Sequence, residues 1–563
     1  MSTQILKGLR ILDLSRMLSG PYCTMHLADH GAEVIKIEAV TGDTSRGNGP
    51  FNDDDESQSW AGYFVSLNRG KKSIQLDLKS NEGKESFLKL AVTADVIVEN
   101  FRPGVMERLG LSYETLANIN EKLVYAAIRG FGDPRSGTSP YAEWPSYDVV
   151  AQAMGGLMAM TGPDKNSPTK TGPGVGDIFA GMMMAFGIMA ALREAEATGK
   201  GQFVDVAMYD AMISLCERMV YLHDMTGIVP KPEGNGHPLL APFGLFPAKD
   251  GHVALGIVDD AFWCELAQLM GQPMLGSDNR FSTLAARSQN SVELNTIVSS
   301  WSRLHSKKHL TELLGGKVPF GPLNTITDIE SDPHVAVRKM LATVPNPDPN
   351  CKSWTVAANP LRFSAHEHKP LSAPPRLGAD KNILAKLLRF QEIPSDTRKA
   401  LQTAVSSFAA GVTLVTALQP NDNLIGFSTS SFTPVSLNPP LLLVCIAKAT
   451  AGFDTFVQTD HFAINILAEG QKEFLDMFKE SSSKQIDESS WDLNFQNIPI
   501  INGSLTSFSC VKHRLVDAGD HLILIGRVLD FEVNPGTPLI LYNGTSSDSR
   551  AKNPITKKQK YKL

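Results

Sequence analysis

Residues 9–37 read LRILDLSRMLSGPYCTMHLADHGAEVIKI, and this stretch decides the fold of the first part of the chain. The run 9–14 (LRILDL) is short and rich in Ile and Leu, which reads as a strand. Gly20 and Pro21 turn the chain. Residues 22–30 have helical character, and 33–37 (EVIKI) form a second strand. The rhythm returns at 94–98 (ADVIV) and 123–128 (LVYAAI). Strand–helix–strand alternation implies an α/β unit, a parallel sheet covered by helices. No GxGxxG follows the first strand, so no dinucleotide motif is signalled there.

Outward from this stretch the chain is too long for one core. It has 563 residues, whereas single cores stop growing near ~250–300. From about 225 to 330, Pro and Gly cluster at 230–247 and helical segments follow, a smaller α+β unit. The pattern near 319–337 returns to the first unit. A Pro-rich stretch (366–375) precedes a last helix expected over 380–390. Past a boundary near 390–395 the composition turns to β: 411–417, 440–446, 461–467, 522–528 and 539–542 read as strands between Gly, Pro and Asn turns. Such spacing suggests a β-barrel.

Composition excludes several classes. A net charge of −6 argues against a nucleic-acid surface. The basic run Lys552, Lys557, Lys558, Lys560 and Lys562 (tail 551–563) reads as solvated. The six cysteines include no CxxC and no metal-ligand spacing, so a reduced chain without a metal is expected. No signal-peptide pattern opens the chain, and the longest apolar run (178–192) is interrupted by Gly181 and Gly187. No membrane association is expected. The expected location is cytoplasmic, with mitochondrial or peroxisomal location left open; the final Tyr-Lys-Leu is a poor match to Ser-Lys-Leu.

The first chemical constellation is TGPGVGDIFAGMMMAFGIMAALREA (171–195). Glycines crowd the approach to Asp177, which opens a long apolar helix. Asp is a favoured helix cap. An aspartate among free N–H groups at a helix start also stays ionised and can attack a thioester, with those N–H groups holding the developing oxyanion. Both readings stand on the residues alone.

The span from Leu6 to about 390 resembles the family III CoA-transferases, the group of formyl-CoA and carnitine CoA-transferases, and most of all the succinate–hydroxymethylglutarate type. The stretches that carry the resemblance are LKGLRILDLSRMLSGPYCTMHLADHGAEVIKIE, NRGKKSIQLDLKS, ADVIVENFRPGVMERLGL, SYDVVAQAMGGLMAMTG, VGDIFAGM, TGKGQFVDVAMYDA and VPFGPLNTITDI. It implies a Rossmann-like large domain (1–224, with 331–390 returning to it), a small α+β domain (225–330) and an interlocked homodimer. It implies that Asp177 attacks an acyl-CoA donor such as succinyl-CoA, giving a mixed anhydride and free CoA thiolate. The thiolate returns to form an aspartyl-CoA thioester, and an acceptor carboxylic acid then leaves as the new thioester. Lys71, Lys72, Asn100, Phe101 and Arg108 match regions that line the CoA site; Lys and Arg suit phosphates, and solvated surface is the plain alternative. Leu18 stands where formyl-CoA transferase has glutamine, which points away from formyl transfer. Gly234, Gly236 and His237 resemble the glycine loop over the acyl group, with His237 an acyl contact or a packed loop histidine. The fold also hosts 2-methylacyl-CoA racemases. Their acid–base histidine falls on Tyr147, whose phenol titrates near ~10 and suits α-proton abstraction poorly. Asp148 either orients groups near Asp177 or caps a helix.

The second constellation is GFSTSSFTPVSLNPPLLLVCI (426–446), followed by Asn465 in FAINIL and by Gly519-Asp520-His521. Together these resemble the flavin reductases that supply two-component monooxygenases. The resemblance implies an FMN-binding split β-barrel over 395–550. Ser428, Thr429, Ser430, Ser431, Ser436 and Asn465 would contact flavin (FMN or FAD), and His521 would lie near flavin and NAD(P)H. The stretch LYNGTSSDS departs from the family's aromatic closure. A non-catalytic flavin-binding or dimerising module is the alternative, and a flavin-dependent oxygenase is the partner the fusion suggests.

Overall fold

The computed structural model of the chain describes residues 4–366, 370–384, 401, 404–405, 408–474, 488–494, 496–542, 545–548 and 559–562. The end of the helix expected over 380–390, the expected boundary at 390–395 and Lys552, Lys557 and Lys558 lie outside the described residues. The chain divides into two units, Met1–Gln391 and Glu392–Leu563.

The first unit is built on six parallel strands: β1 (Arg10–Asp13), β2 (Glu33–Glu38), β3 (Lys72–Gln75), β4 (Val96–Glu99), β5 (Val124–Arg129) and β6 (Phe203–Ala207). Their order is β3-β2-β1-β4-β5-β6. Successive side chains of a strand point to opposite faces. Ile11, Val34, Val98 and Ala126 enter one apolar layer; Leu12, Ile35, Ile97 and Ala127 enter the other. Burial on both faces explains why the strands read as near-continuous apolar runs. The chain runs outward in both directions from β1, so strand order reverses between β1 and β4. Open α/β sheets bind ligands at the carboxyl ends beside such a reversal.

Five helices position the site: α1 (Ser19–Asp29), α2 (Gly62–Asn68), α3 (Val105–Arg108), α4 (Asp148–Met154) and α5 (Val175–Thr198). Helix α5 is long and apolar enough to cross a membrane by length and composition. Here Ala180, Met184, Ile188 and Leu192 bury one side of it in the first layer. That packing explains an apolar run in which the sequence showed no periodic polar face. Next comes α6 (Glu217–Thr226). An antiparallel sheet follows, of β7 (Phe243–Ala248), β8 (Gly251–Gly256) and β9 (Phe320–Pro322), with its own core around Trp263, Phe281 and Leu294. The hairpin β10 (Leu341–Val344) and β11 (Trp354–Ala357) leads back to the large sheet. There Asn359 Nδ2 lies 2.9 Å from His26 Nδ1, and Asp380 accepts from the Ser73 N–H at 2.9 Å.

The second unit is antiparallel. It contains β12 (Ala410–Gly411), β13 (Thr413–Leu418), β14 (Leu424–Thr429), β15 (Thr433–Leu437), β16 (Pro440–Ala447), β17 (His461–Ile466), β18 (Trp491–Leu493), β19 (Pro499–Ile501), β20 (Thr506–Ala518), β21 (His521–Val533), β22 (Leu539–Tyr542), β23 (Thr545–Asp548) and β24 (Gln559–Lys562). The main sheet runs β14-β13-β17-β20-β21-β16-β15, with β24 on β21. Register shifts in β20 curl the long β20–β21 ribbon, which wraps a core of Val415, Val444, Phe456 and Phe462. Mixed α/β with an antiparallel barrel behind it is the class expected above.

Candidate active site

The strand reversal creates the site. After β1 the chain makes a tight turn in which Met17 has φ 62, a left-handed conformation rare for a side chain of this size. Asn100, just past β4, holds the turn. Its Oδ1 accepts from the Arg16 N–H at 2.8 Å, and its Nδ2 donates to the Arg16 carbonyl at 2.8 Å and to Ser19 Oγ at 3.2 Å. Ser19 is thereby fixed at the first position of α1. Its hydroxyl and main-chain N–H face the Asp177 carboxylate and favour its charged form. Gly181 makes the approach feasible, since a Cβ there would lie 2.5 Å from the Ser19 carbonyl oxygen.

Asp177 is the third residue of α5 and does not cap it; Gly174 occupies the cap position without a side-chain bond. The cap is supplied from elsewhere: Asp148 Oδ1 accepts from the Gly176 N–H at 2.8 Å. The buried Gln152 donates to both Asp148 oxygens at 2.9 Å, and its Oε1 accepts from the Thr171 N–H and hydroxyl at 3.1 Å. Asp148 is thus both a helix cap and a neighbour of Asp177, the two roles left open by the sequence.

The electrostatics follow. Burial, and then the negative charge of Asp148, push the Asp177 carboxyl up to about 6 against the pull of the Ser19 donors. Most of the group is ionised at pH 7, and it is more basic than an ordinary aspartate, a useful combination in a nucleophile. Tyr63 on α2 faces the same charges; burial, then Asp177, Asp43 and Asp148, push its phenol up to about 12. Leu18 abuts the start of α5, where a Cβ on Gly174 would lie 2.8 Å from Leu18 Cδ2. Ser19, Tyr63 and Gln152 were not found by sequence reasoning. Only Ser19 carried a local signal, and Gly20 and Pro21, expected to turn the chain, instead open α1 with it, since Pro is tolerated in a helix's first turn.

Beside the turn opens a cavity of about 380 Å³, lined by Arg16, Lys36, Lys79, Phe101 and Arg108 among others. The Arg16 guanidinium lies 4.9 Å over the Phe101 ring. Lys36 is paired with Asp43 at 2.8 Å. Among the described residues, no carboxylate pairs with Arg16, Lys79 or Arg108. Unpaired cations around a cavity suit an anionic ligand.

Phe101 and Arg108 therefore line this cavity, and Asn100 shapes its rim. The expectation for Lys71 needs correction. Its ammonium is fully buried, donating to Asp13 Oδ2 at 2.9 Å, Asn68 Oδ1 at 3.0 Å and the Pro21 carbonyl at 3.1 Å. Burial draws it down to about 8 despite Asp13. An ammonium saturated in this way has no donor left for a phosphate. Lys72 pairs with Glu33 and does not line the cavity. Tyr147 precedes α4 and is 67% exposed. Gly234 is tied to the strap before α5 by its N–H to the Gly162 carbonyl at 2.9 Å; Gly236 turns back on Glu233 at 3.3 Å. His237 packs on Phe243 with ring centroids 5.2 Å apart.

In the second unit, several expected flavin contacts serve the barrel itself. Asn465 is fully buried and saturated. Its Nδ2 donates to the Leu414 carbonyl and to Thr416 Oγ1, and its Oδ1 accepts from the Ile501 N–H and the Ser507 hydroxyl, at 2.9–3.1 Å. It is a joint between strands with no group free for a flavin. Ser431 Oγ accepts from the Cys445 N–H at 2.7 Å and meets Thr429 Oγ1 at 2.7 Å, stitching the end of β14 to β16. Ser436 Oγ accepts from the Asn438 N–H at 3.2 Å in its own turn. Ser430 is exposed and Ser428 half-buried. The Ser/Thr loop and His521 meet along β16: Ser431 grips Cys445, and Ala447 pairs with His521. His521 Nδ1 lies 2.7 Å from Asp520 Oδ1, and its ring is 44% exposed. Ser428, Ser430, Ser436 through its own O–H, and His521 keep hydrogen-bonding capacity that could hold a flavin edge.

The family model for CoA-transferase family III matches residues 6–381, and that for the flavin reductase like domain matches 405–549. The succinyl-CoA:mesaconate CoA-transferase of Haloarcula hispanica is 44% identical over 372 residues, covering 66% of this chain and 93% of that protein. The succinate–glutarate CoA-transferase of Agrobacterium fabrum is 36% identical over 337 residues, covering 59% and 83%. A solved CAIB/BAIF family protein from Brucella suis superposes with a TM-score of 0.61 at 36% identity, covering 69% of this chain and all of that one. The chain belongs to CoA-transferase family III and carries a flavin reductase-like domain behind the transferase.

Proposed function

We propose that the first unit moves CoA from succinyl-CoA or a similar thioester to a short dicarboxylic acid, with Asp177 as the covalent nucleophile. The observation that carries this is the Asp177 site itself: a carboxylate faced by the Ser19 hydroxyl and N–H and raised to about 6, in a chain similar to succinyl-CoA-dependent transferases. In the forward step an Asp177 oxygen bonds the thioester carbonyl carbon and the C–S bond breaks. This releases CoA thiolate and leaves an acyl–aspartyl anhydride. Thiolate attack on the aspartyl carbonyl frees the donor acid and leaves aspartyl-CoA. The acceptor carboxylate repeats these exchanges in reverse and restores Asp177. The cavity of Arg16, Lys79, Phe101 and Arg108 supports binding of the CoA phosphates and adenine. Racemisation would require a second acid–base group, and the position implied for it holds the exposed Tyr147.

For the second unit we propose flavin binding by Ser428, Ser430 and His521, with NAD(P)H as reductant. When bound, flavin would supply hydride acceptance; this chain's residues place it. The exposed apolar row Met183, Phe186 and Met189 on α5, spaced three apart, supports a homodimer in which a second copy covers it. The test is an acyl-CoA and acid panel read by mass spectrometry, with flavin absorbance recorded on the same sample. New dicarboxyl-CoA species and an aspartyl-CoA adduct on the Asp177 peptide are expected. Transfer that survives Asp177→Ala overturns the nucleophile, and a colourless protein that takes up no added flavin overturns the second assignment.

A further inference from the structure

Arg218 and His237 meet in an arrangement that is incomplete as it stands. Arg218 Nη1 lies 3.4 Å from His237 Nε2. The Leu239 main-chain N–H donates to His237 Nδ1 at 3.1 Å. A backbone N–H can only donate, so Nδ1 is the unprotonated nitrogen and the ring proton sits on Nε2. Burial, and then the nearby Arg218 charge, hold the ring below its usual range, so it is neutral at pH 7. Arg218 never accepts either. Two N–H donors therefore face each other with no acceptor between them. An oxygen ~2.9 Å from each nitrogen would complete both bonds. Among the described residues, no carboxylate pairs with Arg218.

Both groups hang on elements tied to the segment that runs from the helix of Asp148 to the start of α5. Met219, next to Arg218 on α6, packs against Gly156, where a Cβ would meet Met219 Sδ at 2.7 Å; Gly156 lies two residues beyond the helix of Asp148. The His237 loop is bonded through Gly234 to Gly162, in the strap leading into α5. The Phe243 ring beside His237 gives the pair an apolar wall.

We propose that Arg218 and His237 receive the free carboxylate of a dicarboxylic acyl group, one oxygen bridging Arg218 Nη1 and His237 Nε2. This rests on the transferase reading above and adds to it the residues that select dicarboxylic over monocarboxylic acids. The test compares the full chain with Arg218→Met and Arg218→Lys, using glutarate and its monocarboxylic counterpart valerate. Calorimetry reads glutarate binding, and steady-state transfer reads kcat/KM for each acid. In R218M, glutarate affinity and the glutarate-to-valerate ratio of kcat/KM should fall about 10- to 100-fold, the range of one charge-assisted hydrogen bond. R218K, which keeps charge but loses the fork, should fall between. His237→Asn gives the same contrast if R218M does not fold. Unchanged glutarate affinity and an unchanged ratio in folded variants overturn the carboxylate site while leaving the transferase reading intact, as does wild-type protein that binds no glutarate yet transfers CoA. Glutarate binding that depends on Arg218, without any CoA transfer, keeps the site and overturns the transferase reading.

Discussion

Replacing Asp177 with Asn should abolish transfer and stabilise the fold, and only in one pH window. The carboxyl is raised from 3.8 to about 6 by burial and by Asp148. A gap of about two pH units corresponds to about 3 kcal/mol. Some solvent reaches the group, so about 1–3 kcal/mol is the expected range. The folded protein holds this proton more tightly than the unfolded chain. Below about pH 3 both states are protonated and the penalty is absent. As pH rises through 4 to 6 the unfolded chain ionises first and the folded state loses stability; above 6 the full penalty persists. Asparagine is neutral at every pH, keeps an oxygen for the Ser19 donors, and escapes the penalty. Differential scanning calorimetry of wild type and D177N at pH 3, 6 and 8 should give transitions that nearly coincide at pH 3. At pH 8 the first unit of D177N should melt about 1–4 °C higher, the shift expected for a unit of this size. D177N melting lower at pH 8, or by a margin independent of pH, would refute the account of Asp177 as a destabilised buried charge.

Four further outcomes follow from the two units' geometry. Asp148→Asn removes the charge that raises Asp177, leaving burial, so the acid limb of kcat/KM should move from near pH 6 downward by about one pH unit; a limb that stays put refutes the coupling. Lys71→Met should cost about 3–5 kcal/mol by removing the ammonium that bonds Asp13 directly and leaving only the more distant Lys36 against its buried charge, yet folded protein should keep its KM for the CoA thioester. Arg108→Ala should do the opposite, raising that KM about 10-fold or more without changing the melting transition; the reverse pattern would return Lys71 to the CoA site. Asn465→Ala, which strips partners from the buried Ile501 N–H and Leu414 carbonyl, should destabilise the second unit by about 2–4 kcal/mol in urea unfolding; a near-neutral result would mean Asn465 is no strand joint.

The parallel sheet was legible because strands buried on both faces leave continuous Ile/Val/Leu runs, as at 94–98 and 123–128. The barrel was legible from its turns. What was not legible depends on contacts between distant residues. RGKKS looks like a solvated basic turn, but Lys71 points inward to an aspartate 58 positions earlier. Asn465 looked like a polar group in an apolar strand with a ligand to hold; its partners lie 36–51 residues away. On its own segment Asp177 read as a cap or a nucleophile; the fold gives the cap to Asp148, which lies 28 residues before Gly176 and accepts from its N–H. Tyr63 has no local pattern, and its relevance appears only once α2 is folded toward the charges around Asp177.

The assignment of Asp177 gains most from comparison with Asp13, a fully buried aspartate of the same unit. Burial alone would raise both. At Asp13 the ammonium groups of Lys71 and Lys36 and the hydroxyls of Ser15 and Thr24 overcome it and hold the carboxyl far below its usual range. Thr24 Oγ1 sits 2.7 Å and Lys71 Nζ 2.9 Å from its Oδ2. Such a carboxylate is permanently charged, saturated and a poor nucleophile, because attack would require giving up its cations. Asp177 has no cation among its influences; it has two donors from Ser19 and a second negative charge nearby. Its electron pairs are therefore the less stabilised ones. Converting it to a neutral acyl or thioester form relieves both the burial penalty and the repulsion from Asp148, so the covalent states gain what the free carboxylate lacks. The same two influences that cost the resting fold stability would lower the energy of the proposed aspartyl intermediates relative to it, which favours the proposed nucleophile at this position over Asp13.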